Sequence, residues 1–207
     1  MSKEKFTKIL SILLAVAGML LIVWWLLVGL QWLAASGGSL ATLVLTPSWL
    51  PINIVGLLSC LLLILGLIGI LTGGLPALGT LGFVGIAISV SGAALFTALQ
   101  FDEAFMWPLL AVHAEEFLTM DGPMFADPAF FGIYLAMGVL FAVGFVLLAI
   151  QSLRRRIFPV MPSVLLLAGS VLFAGGMLVP TMIRTVGVIL LGAALIWIGF
   201  RSAKSPL

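Results

Sequence analysis

Long apolar runs, separated by short stretches rich in glycine, proline or polar residues, make up most of the chain. The first run, residues 9–30, contains no charged residue. As a helix it would be about 33 Å long, enough to cross a hydrocarbon core of about 30 Å. The whole pattern predicts a single all-α domain, an integral membrane bundle of six transmembrane helices at about residues 9–30, 54–71, 78–100, 131–150, 163–179 and 183–200.

The second and third runs are predicted to form an antiparallel hairpin, because the Gly-Gly-Leu-Pro turn that separates them ends at residue 76. Both runs contain small-xxx-small spacings, which let helices approach closely. The spacings pair Gly69 with Gly73 and Gly85 with Ser89. We expect these residues to pack helices inside one bundle, with homodimerisation as the alternative.

The linker between the first two runs, residues 31–53, is longer and contains several helix breakers. Its apolar middle, residues 40–45, is expected to lie flat on the membrane surface or to dip back into it. Trp32 and Trp49 flank the linker, and tryptophan favours the membrane–water interface. Both are therefore predicted to be interfacial belt residues.

Composition narrows the class of protein further. Of the 207 residues, 63% are hydrophobic and only 8% are charged, whereas a soluble domain carries about 25% charged residues. This excludes a water-soluble globule and a disordered chain. The few basic residues lie beside apolar runs, so no nucleic-acid partner is expected. Cys60 is the only cysteine and is expected to be a small buried hydrophobe.

The basic residues set the predicted orientation. With six spans, eight of the nine fall on one side, and only Arg184 falls on the other. The eight are Lys3, Lys5, Lys8, Arg154, Arg155, Arg156, Arg201 and Lys204. Because loops rich in lysine and arginine stay cytoplasmic, both termini are predicted to be cytoplasmic. Arg154, Arg155 and Arg156 then anchor the topology and contact membrane lipids.

The segment of residues 101–130 is acidic, unlike the basic side of the chain, and it is predicted to be extracytoplasmic. It holds six of the seven acidic residues, the only histidine, and no lysine or arginine. Its candidate polar site comprises Asp102, Glu103, His113 and Glu116, with Arg184 on the same side. In an unbroken helix Asp102, His113 and Glu116 would share one face.

Pro108 opposes an unbroken helix here, because an interior proline kinks or ends it. The alternative is a third span that runs on to Trp107, followed by a separate interfacial helix at residues 109–118. Arg184 is expected either to pair with Asp102 or Glu103 or to snorkel to water.

The chemistry of this segment has several possible interpretations. The carboxylates could bind a divalent cation, His113 with carboxylates could bind a transition metal, or Asp102 and Glu103 could carry protons. A solvated acidic cap is the favoured interpretation, with no metal and no cofactor. No nucleophile and base are evident, so no catalytic residue and no enzyme are predicted.

Three stretches carry a resemblance to a known group. They are FDEAFMWP at residues 101–108, the Pro-Ser-Trp sequence at 47–49 and LIWIG at 195–199. In these stretches and in its pattern of spans, the chain resembles a broad group of small six-span bacterial membrane proteins of unknown function. The resemblance implies the six-span architecture and a prokaryotic inner membrane, and it supplies no activity or substrate.

The function expected from these features is non-catalytic. The chain is predicted to be a scaffold or accessory subunit that packs on other membrane subunits, or on itself as a homo-oligomer, through its glycine faces and its acidic segment. The alternative is a small permease or channel for a neutral or cationic solute, with Asp102, Glu103 and His113 at its mouth.

Overall fold

The computed structural model describes residues 2–35, 38–119, 121–175 and 181–204. Its α-helices are α1 (Lys3–Ala34), α2 (Leu40–Val44), α3 (Trp49–Phe101), α4 (Trp107–His113), α5 (Pro123–Ala126), α6 (Pro128–Arg155), α7 (Val160–Gly175) and α8 (Thr181–Lys204). A π-helical turn, Asp102–Met106, joins α3 to α4, and a 3-10 turn, Glu115–Leu118, follows α4. The described part of the chain contains no β-strand, in agreement with the predicted all-α class.

Helix α3 consists of two antiparallel halves, and Gly79 lies at the reversal. Gly79 has a φ of +59°, a left-handed conformation that glycine adopts without steric cost. Beside it, the Leu78 carbonyl accepts a hydrogen bond of 2.7 Å from Gln151 Nε2 on α6. Because of the reversal, Gly56 in the first half packs against Gln100 near the end of the second. The hairpin predicted from the sequence is therefore present.

Within the described residues, five helical segments are long and apolar enough to cross a membrane: Glu4–Ala34, Trp49–Gly73, Ala77–His113, Pro128–Arg155 and Met182–Lys204. Helix α7 is apolar but shorter. The last residues of the predicted fifth span, 176–179, lie outside the part of the chain that the structure describes. The remaining predicted spans fall within the observed helices.

The helices form a closed ring. Helix α1 packs between the first half of α3 and α8, α7 packs between α8 and α6, and α6 returns to the second half of α3. Helices α7 and α8 are antiparallel, because Gly169 packs on Leu191 while Phe173 packs on Gly187. Helix α7 thus returns the chain across the bundle before α8 begins.

The first predicted small-residue pair packs α3 against α1. A Cβ atom added to Gly69 would lie 2.5 Å from Leu10 Cβ, and one added to Gly73 would lie 2.8 Å from Thr7 Cγ2. Glycine is needed there because any side chain would separate the two helices.

The second small-residue pair packs the other half of α3 against α6. A Cβ atom on Gly85 would lie 2.9 Å from the Leu148 backbone nitrogen, and Ser89 lies directly against Gly144. Both pairs therefore serve contacts within this chain. The faces that carry them are consequently covered, and they are not free for a second copy.

The centre of the ring is filled by aromatic side chains. Phe96 packs edge-on against Trp24 and Phe141, with ring centroids 5.6 and 5.9 Å apart. Phe173 lies 5.3 Å from Phe141 and completes the cluster. All four side chains are buried. Edge-to-face contacts at these distances add to the packing energy of the core.

The bundle has two chemically different ends. At the first, which we call the basic end, the start of α1 meets residue 73, Arg155 meets Gly79, and the end of α8 meets Ser11. At the second, the acidic end, α2 and the segment 101–130 lie over the helices, and α8 begins beside Trp25. The eight basic residues singled out from the sequence lie in elements of the basic end.

We predict that Gly199→Ala destabilises the bundle by about 1–3 kcal/mol, because overpacking forces backbone movement. The added Cβ would lie 2.6 Å from both the Ala15 nitrogen and the Ser11 oxygen. Gly29→Ala, where nothing lies within 4 Å, is the matched control and should be neutral or slightly stabilising. Thermal unfolding in detergent, read by maleimide-dye labelling of the buried Cys60, measures both. Equal melting temperatures would contradict the close packing of α1 and α8.

Candidate functional site

The backbone of the acidic end is organised by the π-helical turn before Pro108. The Trp107 N–H donates to the Asp102 carbonyl, five residues back, instead of to the Glu103 carbonyl. Pro108 has no N–H to donate. The Glu103 carbonyl therefore lies without a helical partner, and it accepts a hydrogen bond of 2.8 Å from Trp49 Nε1. The helix passes through the proline because this side chain from α3 satisfies the freed oxygen.

Trp49 and Trp107 form a stacked pair, with ring centroids 6.1 Å apart and planes at 19°. Trp107 Nε1 donates to Asp102 Oδ2 at 3.0 Å, which holds that carboxylate against the helix. The prediction that Trp49 is an interfacial belt residue was wrong, since its side chain is only 5% exposed. Trp32 is 50% exposed, as a belt residue should be. Trp49 is buried because it supplies the hydrogen bond that the π turn requires.

A small second core covers this end of the bundle. Helix α2 packs on α4, and the 3-10 turn packs on both α2 and α5. The residues buried there are Ala41, Leu43, Val44, Trp49, Trp107, Ala111 and Leu118. The apolar stretch 40–45 is thus docked onto the acidic segment. That segment is a folded cap with its own core, while the carboxylates of Glu115 and Glu116 remain exposed.

The alignment of Asp102, His113 and Glu116 on one helical face is wrong. The π turn changes the angular register, and α4 ends at His113, where Ala114 leaves the helical region with φ −157° and ψ 58°. His113 and Glu116 are exposed on the cap, whereas Asp102 lies half-buried at its base. The three residues named for a permease mouth thus lie in two elements, Asp102 and Glu103 in the π turn and His113 at the end of α4.

Glu103 is the predicted site residue that the fold places in a polar contact inside the bundle. Its Oε2 atom accepts a hydrogen bond of 2.7 Å from Nε2 of Gln100, which is fully buried. Its Oε1 atom accepts none from the described residues. Sequence reasoning missed Gln100, although a glutamine three residues before a glutamate on a helix faces it.

Arg184 forms no salt bridge to Asp102 or Glu103 among the residues that the structure describes. Its guanidinium lies over the rings of Trp25 and Phe173, 4.7 and 5.0 Å from their centroids. It remains within coulombic range of Glu103. Arg184 is thus held by two aromatic rings. It neither pairs with Asp102 or Glu103 among the described residues nor extends freely to water.

Glu103 also faces a cavity of about 360 Å³ between the end of α3 and the start of α6. Aromatic side chains form most of its walls: Trp107, Phe125, Phe130, Phe131 and Tyr134. A second cavity of about 160 Å³ shares Phe130 and Tyr134 and extends to Asp102. We call the two together the aromatic cavity.

At the basic end, Arg154, Arg155 and Arg156 are exposed at the end of α6. Arg156 ends the helix in a left-handed conformation, with φ 54°. The turn to α7 is held by Ser152, whose hydroxyl lies 2.7 Å from that of Ser163. The arginines extend from a fixed turn, which suits contact with lipid headgroups.

No group of three or more His, Cys, Asp or Glu side chains that could hold a metal ion occurs among the described residues. The candidate carboxylates are separated in the structure. Asp102 and Glu103 lie at the base of the cap, while Glu116 lies on its outer surface with His113.

Comparison of this chain with protein-family models, with curated proteins and with solved structures finds no match. The resemblance to small six-span bacterial membrane proteins therefore stays a prediction. The function of the chain is therefore inferred from the contacts within its own structure.

We predict that Trp49→Phe destabilises the protein by about 1–3 kcal/mol, because it leaves the buried Glu103 carbonyl without a donor while keeping an aromatic ring on Trp107. Trp32→Phe, at an exposed tryptophan, is the matched control and should change little. Both are measured by thermal unfolding in the same detergent. Equal stability of the two variants would show that the indole hydrogen bond is not required.

Proposed function

We propose that the chain is a six-span protein of the bacterial inner membrane, with both termini and the Arg154–Arg156 turn in the cytoplasm. Five long apolar helices and the antiparallel packing of α7 on α8 support the six crossings. The collection of basic residues at one end supports the orientation. The cap of residues 101–130 would then face the extracytoplasmic side.

This topology predicts a labelling pattern for single cysteines placed in a Cys60→Ala background. In intact spheroplasts a membrane-impermeant maleimide should label Thr119→Cys on the cap and should label Lys204→Cys only after permeabilisation. Both positions are exposed, so access depends on the side of the membrane. Labelling of Lys204→Cys in intact spheroplasts would place this end of α8 outside the cytoplasm and would contradict the proposal.

Within that membrane, we place the chain as a non-catalytic scaffold or accessory subunit of a larger complex. The observation that carries this proposal is the aromatic filling of the ring, where Phe96, Phe141 and Phe173 close the centre. A permease needs a polar path between its two ends, and these rings fill the centre of the described interior with apolar side chains. This filling supports a role in which the chain acts through the proteins that it contacts.

The contacts available to a partner differ from those expected from the sequence. The glycine faces are covered by helices of this chain, so a partner has to pack on the outer surfaces of the ring or on the cap. The cap offers exposed carboxylates on a folded surface, including Glu115 and Glu116. It is suited to a partner with a basic extracytoplasmic surface. Lipids, and a second copy of the chain, compete for the outer surfaces.

We predict that native mass spectrometry of the protein, extracted gently from its own membrane, finds a stoichiometric partner protein. Charge reversal on the cap by Glu115→Lys with Glu116→Lys should reduce recovery of that partner, because like charges would then face each other. Lys5→Glu, at the opposite end, is the control and should leave recovery unchanged. A bare monomer or homo-oligomer would contradict the accessory role.

The alternative function is a small permease or channel for a neutral or cationic solute. One observation favours it: Glu103, near the end of a long apolar helix, lines a cavity, and ionisable groups in membrane segments usually serve function. This alternative would replace the accessory role if the wild-type protein carried a solute into proteoliposomes and if Glu103→Gln and Asp102→Asn lowered that solute flux.

A further inference from the structure

The aromatic cavity combines two features that call for a cationic ligand. Five aromatic side chains and Glu103 line its larger chamber, and Phe130, Tyr134 and Asp102 are among the residues that line the smaller one. Aromatic faces attract cations through their quadrupole, and a carboxylate adds a full counter-charge. Its main chamber, of about 360 Å³, is within the size range of small-molecule sites.

Other ligand classes fit the cavity less well. An anion would meet two carboxylates, and a neutral apolar molecule would leave one oxygen of Glu103 without a partner among the described residues. A hydrated metal ion needs several oxygen ligands, and the rings provide none. A weakly hydrated organic cation loses little solvation energy on entering such walls.

Both carboxylates are already positioned without a ligand. Gln100 Nε2 holds one oxygen of Glu103 at 2.7 Å and leaves the other without a partner among the described residues. Trp107 Nε1 holds Asp102 at 3.0 Å. A ligand would therefore bind to fixed groups, which lowers the entropy cost of binding.

Among the residues that the structure describes, Arg184 is the basic side chain near Glu103, and it does not line the cavity. Its guanidinium is engaged by the rings of Trp25 and Phe173 and makes no salt bridge with either carboxylate in the described residues. The same end of the bundle thus already holds one cation on aromatic faces, and the two carboxylates lie outside that contact.

We propose that the aromatic cavity binds an organic cation of the quaternary ammonium or phosphonium type, with Glu103 as its counter-ion and Phe130 and Tyr134 as its aromatic wall. The cation could arrive as a free solute or as the headgroup of a lipid, because both carry the same chemistry. The proposal does not depend on the accessory role. Its failure would leave that role standing.

The test is equilibrium dialysis of radiolabelled tetraphenylphosphonium against the full-length protein in neutral detergent. We expect saturable binding, with Glu103→Gln and Tyr134→Leu each weakening it roughly tenfold or more, because each removes one of the two attractions. Glu116→Gln, an exposed carboxylate on the cap, is the matched control and should bind as the wild type does. Melting temperatures of all variants verify that they are folded.

Neutral triphenylphosphine oxide should fail to displace the label. Equal binding by Glu103→Gln and wild type, or displacement by the neutral compound at equal concentration, would overturn the proposal. Nanodiscs distinguish the two sources of the cation. If Glu103-dependent binding is weaker in phosphatidylcholine than in a neutral glycolipid, the site takes the lipid headgroup, and equal binding in both assigns it to a free solute.

Discussion

The need to satisfy every backbone polar group inside the protein governs this structure. In hydrocarbon no water is available, so any break in a helix has to find a partner from another element. Within the helical stretch 49–113, regular helix is interrupted at two places, beside Gly79 and at the π turn. At Leu78 the carbonyl is satisfied by Gln151, and at Glu103 it is satisfied by the indole of Trp49. Each break thereby ties α3 to a distant part of the chain.

These two hydrogen bonds also explain how the ends of the bundle acquire different shapes. The bond to Gln151 fixes the reversal of α3 beside α6, so the basic end is a compact turn. The bond to Trp49 satisfies the carbonyl that the π turn frees, and α4 beyond it carries the docked cap. Close glycine contacts keep the ring between them tight, and aromatic side chains fill its centre.

Much of the architecture follows from the sequence, because long apolar runs have few structural solutions in lipid. The hairpin and the small-residue contacts at Gly69 and Gly85 were predictable from turn and spacing patterns. The cap was not. Its core depends on α2 docking to α4 across more than sixty residues, and no local pattern encodes that contact. A uniform angle of 100° per residue likewise fails once a π turn intervenes, which is why His113 and Asp102 were wrongly aligned.

Only part of the candidate site was predictable from the sequence. Glu103 stood out because carboxylates are rare in apolar segments. Four of the five rings around it come from residues 125–134, which are ordinary apolar positions when read locally. A half-buried carboxylate there is costly to ionise without a counter-charge, and Arg184 is engaged by Trp25 and Phe173 instead. Among the described residues Glu103 is hydrogen-bonded to Gln100 and forms no salt bridge, and this geometry is what the proposed cation site uses.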